Sequence, residues 1–201
     1  MIQRDSKRQQ LIEHTRAPVF HCMPDRLTEL KLALDKCANP EKAAFYPRFF
    51  KTGKGEYGER AKIYSFTLGQ MGRINNWDLV DCAGPKIVGV HMLSHPTETK
   101  KLYTWAGDRN LWTRRMSMMA TFPFIRDGHF DHTLKIAERL VADEHDLIHK
   151  AVGWMLREVG NRDRSVERGF LDIHATTMPR TMLRYAIEKF PDDMRKEYLQ
   201  R

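Results

Sequence analysis

Trp77 and Asp81, in the stretch Ile74-Asn75-Asn76-Trp77-Asp78-Leu79-Val80-Asp81, stand four residues apart, which sets a large aromatic and a carboxylate on one face of a helix. That pair suits chemistry on a cation, because a ring face attracts positive charge and a carboxylate stabilises a cation forming beside it. The chain carries a formal net charge of +8. An acid set in such a field is the arrangement expected where an anionic polymer is held and one cationic group on it is attacked. The same spacing also fits a helix whose Trp packs into the core and whose Asp faces water.

The positive charge is spread along the chain, with Lys51, Lys54, Arg60, Lys62, Lys100, Lys101, Arg114, Arg115, Lys150, Arg157, Arg162, Arg164 and Arg168 among its carriers. Such a spread favours a basic surface over a basic arm and points to nucleic acid as the acidic partner, the alternative being a solvated surface that happens to be basic. Cys22, Cys37 and Cys82 are an odd number without a C-x-x-C pair, so neither a disulfide framework nor a zinc knuckle is indicated, and a reducing compartment fits. No run approaches the length of a membrane span, and the start of the chain lacks a signal-peptide core. A soluble, cytoplasmic protein that acts as a monomer is expected.

The elements that must position Trp77 and Asp81 read as helix after helix. At 201 residues, 41% hydrophobic and 30% charged, the chain is long enough for one good core. Residues 1–24 lack a sustained period and read as a loosely attached extension, leaving 25–201 as a single domain. Helices are expected over 27–37, 41–50, 60–68, 77–91, 97–106, 111–122, 130–141, 147–159, 165–175 and 181–190, separated by Gly and Pro breakers, and no hairpin signal appears. Lys51-Thr-Gly-Lys-Gly-Glu-Tyr-Gly58 has three glycines and two lysines but not the Gly-Lys-Ser/Thr ending of a P-loop, so a basic loop touching a backbone is the modest reading.

Stacking the segments around Trp77, Trp112, Ile148 and Arg180 exposes a repeat of the length expected for a two-helix unit. That is the signature of an α-solenoid, in which each helix pair buries its face against its neighbours and equivalent helices line one binding trough. Trp77 and Asp81 then open one inner helix, Trp112 and Arg115 the next, and Lys150 with Trp154 the third. Trp112 reads better as core, Trp154 sits in an apolar run that fits core or site, and Arg115 beside Arg114 also fits a solvated face. His149 and Lys150 open a helix, an unfavourable place for cations unless an anion is held there.

Several long segments resemble the AlkD family of DNA alkylation-repair glycosylases: Asn75-Asn-Trp77-Asp-Leu-Val-Asp81, Ala83-Gly-Pro-Lys-Ile-Val-Gly89, Leu111-Trp-Thr-Arg-Arg115, Ala120-Thr-Phe-Pro-Phe-Ile-Arg126, Asp146 to Glu158, and Met178-Pro-Arg180-Thr-Met-Leu-Arg-Tyr-Ala186. The likeness runs from about residue 26 to the C-terminus, in the family's order. It implies a right-handed, all-α solenoid of HEAT-like helix pairs that wraps duplex DNA and excises N3- and N7-alkylated purines, with no cofactor and no metal.

Carried over residue by residue, the resemblance makes Asp81 the catalytic carboxylate, Trp77 and Trp154 the aromatic contacts around the damaged nucleotide, and Arg115 a DNA-backbone contact. Phe49 falls where a Tyr is usual, so that hydroxyl is not supplied. Lys51, Lys54, Lys150 and Arg180 complete the expected DNA-binding set. The chemistry is physically sensible, because alkylation gives the purine a positive charge and makes it a good leaving group. After Glu59 the chain runs straight into Arg60, about sixty residues short of the family's pattern, which removes part of the trough's N-terminal wall. Two functions follow as expectations: a glycosylase using Asp81, or a non-catalytic helical-repeat protein that binds DNA or another acidic partner.

Overall fold

The computed structural model describes residues 57–201, with side chains from residue 61 onward. Residues 56–201 form one compact unit. The expected extension 1–24, the first two helices, the basic loop with Lys51 and Lys54, and Phe49 lie outside the described residues.

The described chain is all-α and solenoid-like, and no strand occurs among its residues. Its helices are α1 (Tyr57–Gly69), α2 (Trp77–Ala83), α3 (Val90–Ser94), α4 (Lys100–Trp105), α5 (Leu111–Met119), α6 (Phe122–Arg126), α7 (Asp131–Leu140), α8 (Asp146–Gly160), α9 (Arg164–His174), α10 (Arg180–Ala186) and α11 (Asp192–Gln200). Short 3₁₀ turns lie at Met71–Arg73, Pro96–Thr99 and Ile187–Lys189. Among the described residues no helix is long and apolar enough to cross a membrane.

The helix starts follow from capping chemistry. Asn76 accepts from the Asp78 N–H at 2.9 Å and Asn110 from the Trp112 N–H at 2.8 Å, so each Asn satisfies a donor that the first turn leaves unpaired. His145 does the same for Leu147 with its Nδ1, and Asp163 caps α9 through Ser165 and Val166. Pro179 and Pro191 stand just before α10 and α11.

α2, α5, α8 and α10 pack in that order as an inner row, with α4 against α5 and both α7 and α9 against α8. Their first residues are Trp77, Leu111, Asp146 and Arg180, which fall 34, 35 and 34 residues apart. Helices in such a row bury apolar stripes on both neighbours. Met116, Met118 and Met119 of α5, Ile148, Val152, Met155 and Leu156 of α8, and Met182 and Leu183 of α10 are all buried in one core.

The expected helix over 77–91 is not uniform. Pro85 lies four residues after Asp81 and has no N–H to donate to the Asp81 carbonyl, so the α-ladder cannot continue there. The chain widens into a π-helical turn over Gly84–Gly89 and resumes as α3. Gly89 lies within that turn because a Cβ on it would come within 2.2 Å of the Ala120 carbonyl oxygen and 2.8 Å of the Pro123 ring.

Candidate active site

Asp81 sits in the last turn of α2, one turn beyond Trp77. Arg115, on the neighbouring inner helix, donates from Nε to Asp81 Oδ1 at 2.8 Å and from Nη2 to Oδ2 at 2.7 Å. Its remaining terminal nitrogen, Nη1, donates to the Leu147 carbonyl in the first turn of α8. One guanidinium thus joins three successive inner helices. Arg115 is 5% exposed and the Asp81 side chain 12%, so the pair is largely desolvated. Burial raises the proton affinity of Asp81, and the hydrogen bonds and charge of Arg115 act against that rise.

The repeat explains the pairing. Asp81, Arg115, Lys150 and Arg184 are each the fifth residue of their inner helix, so the register brings one carboxylate and three cations to equivalent places along the row. Lys150 pairs with Asp146 one turn earlier at 2.7 Å and lies within electrostatic reach of Arg115. That pairing holds the Asp146 carboxyl below its usual range. Trp154 follows Lys150 by one further turn. It is half-buried against the core, and its Nε1 donates to Glu158 Oε1 at 3.2 Å.

Trp77 differs from the other tryptophans. It is 37% exposed, although its helix is anchored by the fully buried Val80. Trp112 is partly buried and packs on the core, in keeping with the sequence reading. Arg114 faces away from Asp81: its Nε donates to Asp143 Oδ2 at 2.6 Å and its Nη1 to the carbonyls of Asp108 and Arg109. Arg180 is exposed and donates to the Leu199 carbonyl at 2.6 Å.

The structure therefore places Asp81 and Arg115 in direct contact, Trp77 one turn from the carboxylate, and Lys150 within electrostatic reach of Arg115. Among the described residues no group of three or more His, Cys, Asp or Glu side chains is placed to hold a metal ion. Sequence reasoning did not find the Leu147 carbonyl, nor the Asp81 grip that occupies Arg115. The spacing of 34 between Asp81 and Arg115, equal to one repeat, was the available signal.

The family model for DNA alkylation repair enzymes matches residues 54–190. The chain belongs to the DNA alkylation repair enzyme family. A solved structure from Enterococcus faecalis, a predicted DNA alkylation repair enzyme, superposes with a TM-score of 0.60 at 18% identity, covering 92% of this chain and 83% of that one. At that identity the likeness concerns the fold. No curated protein matches the sequence. For a DNA alkylation repair enzyme, a role in DNA repair follows and DNA is the implied partner.

Proposed function

We propose that this DNA alkylation repair enzyme is a glycosylase that excises N3- and N7-alkylated purines from duplex DNA by hydrolysis of the N-glycosidic bond. The observation that carries this reading is a part-buried carboxylate, Asp81, gripped at both oxygens by Arg115 and set one turn from the exposed Trp77.

The lesion supplies much of the driving force. An N3- or N7-alkylated purine is already cationic, so the C1′–N bond breaks with its electron pair going to the base, which leaves neutral. The positive charge moves to the sugar as an oxocarbenium-like species, and water adds at C1′ with loss of a proton. A carboxylate 4 Å from that cation gains at most about 4 kcal/mol at an effective dielectric near 20, roughly a thousandfold in rate. Arg115 reduces that field while opposing the effect of burial on the Asp81 carboxyl and fixing its direction. Trp77 and Trp154 add cation–π attraction of about 0.5–2 kcal/mol each where their faces meet the cation. No metal or organic cofactor enters this scheme.

Lys150, Arg180 and Arg115 are proposed as the DNA-facing cations of the described residues, with Arg115 acting first through Asp81 because its nitrogens are already engaged. The partner is double-stranded DNA carrying alkylated purines, and the protein acts as a monomer in the cytoplasm.

A second reading has one observation in its favour: both Asp81 oxygens are occupied, as in a purely structural ion pair. The chain would then bind DNA without cutting the glycosidic bond. Release of methylated purine from alkylated duplex, measured for wild type and Asp81→Asn, separates the two. Release by wild type and its loss in the variant support the glycosylase; no release by wild type defeats it, and equal release from both removes Asp81 from the centre.

A further inference from the structure

The last inner helix brings an aromatic to the row that the scheme above does not use. Tyr185 of α10 is 37% exposed, although its backbone lies in a close contact between α8 and α10. Gly153 makes that contact possible. A Cβ at Gly153 would come within 2.4 Å of the Met182 carbonyl oxygen and 2.5 Å of the Tyr185 Cβ, so only a glycine lets α10 approach α8 this closely. Tyr185 is therefore rooted in packed backbone while its ring reaches solvent.

Its neighbours are those of an anion contact. Lys150, three residues before Gly153, lies within electrostatic reach of both Tyr185 and Arg115. Thr181, one turn before Tyr185, lies close enough to Asp146, the carboxylate that holds Lys150, to help keep that carboxyl below its usual range, after Lys150 itself. The Tyr185 hydroxyl makes no hydrogen bond to another described residue. A phenol with an anchored apolar body and a wet polar tip is suited to donate to a ligand oxygen.

Counted along the row, α10 is three helix spacings from α2, on the order of 25–30 Å at 8–10 Å per packed pair. That is roughly seven to nine base steps at about 3.4 Å each along one strand. Tyr185 thus stands well away from the nucleotide that Trp77 and Asp81 would serve.

We propose that Tyr185 is a neutral DNA-backbone contact, its hydroxyl donating to a phosphate oxygen several nucleotides from the lesion, next to Lys150. The inference rests on reading the inner row as the DNA face, and its test separates the two. Duplex binding is measured against salt concentration, with damaged and undamaged DNA, for wild type, Tyr185→Phe and Lys150→Gln, and thermal melting confirms that each is folded.

Tyr185→Phe is expected to weaken both duplexes by the same factor, roughly 2- to 12-fold for one neutral hydrogen bond, with the salt slope and the excision rate at saturating DNA unchanged. Lys150→Gln is expected to reduce the slope by about 0.9, because binding with one phosphate contact fewer releases correspondingly fewer counterions. Wild-type affinity in Tyr185→Phe, or a loss confined to damaged DNA, overturns this inference alone. Absence of duplex binding by wild type overturns it together with the proposed function.

Discussion

Arg115 donates two hydrogen bonds to Asp81, at 2.8 and 2.7 Å, and a third to the backbone carbonyl of Leu147, so the cation that fixes the carboxylate is itself fixed by the next repeat. Direction and charge of Asp81 then depend on packing between helices rather than on α2 alone. In a pair this desolvated, removing one partner is far costlier than an exposed ion pair would suggest.

Arg115→Gln should therefore act twice. It should lower stability by about 3–5 kcal/mol, the usual cost of leaving one buried charge unpaired. Burial raises the proton affinity of Asp81 and Arg115 opposes it, so losing Arg115 lets the carboxyl protonate at higher pH. The acid limb of the excision profile should move toward neutrality, and Arg115→Lys, which keeps the charge, should move it less. An acid limb that stays at the wild-type position in Arg115→Gln would show that Asp81 ionises independently of its partner.

Trp77→Ala is expected to leave the fold almost untouched, because the ring is 37% exposed and α2 is held by Val80. Excision of a cationic base should nevertheless slow by roughly 2- to 30-fold, the equivalent of losing about 0.5–2 kcal/mol of cation–π attraction. Single-turnover kinetics beside a thermal melt reads both. A drop in melting temperature that accounts for the whole activity loss would assign Trp77 to packing.

Gly153→Ala should destabilise by about 1–3 kcal/mol, since its Cβ meets backbone and Cβ atoms of α10 that have no soft escape. The expected readout is a lower denaturant midpoint with an unchanged slope. Retention of wild-type stability would mean that α8 and α10 separate at no cost.

Glu167 of α9 is 2% exposed, its Oε1 lacks a partner among the described residues, and it lies against Gly160. Desolvation pushes its carboxyl up from the ordinary 4.5 to about 8, against the opposing charges of Arg164 and Arg157. A raised folded-state value means that the folded chain favours the protonated form, so this contribution is present below pH about 4.5 and is lost as pH rises toward 8. Glu167→Gln, which keeps shape without charge, should remove that loss and leave stability flatter over this interval. Urea midpoints taken across it test the point, and parallel wild-type and variant curves would contradict it.

Much of the helical order was legible in the sequence because apolar periodicity and breakers are local. Expected spans such as 130–141, 147–159 and 165–175 end within a residue or two of α7, α8 and α9. The widened turn after Ala83 was less legible. Pro85 announces a disruption, yet whether a helix stops, kinks or widens depends on what packs beside it, here Ala120 and Pro123 against Gly89. The helix over Asp192–Gln200 was not anticipated, its apolar face being sparse.

That Trp77 and Asp81 share a helix face, that the charge is basic, and that helix starts recur at about one repeat were readable from residue type and spacing alone. Segments of the sequence also resemble the family to which the chain belongs. That Arg115 is committed to Asp81 and Leu147, and that Tyr185 emerges over a glycine within electrostatic reach of Lys150, depended on how the helices pack. Helical spacing fixes which side of a helix a residue occupies. Which atoms on the neighbouring helix it meets is fixed by how closely the two helices pack, and that distance is set by side chains far apart in the chain.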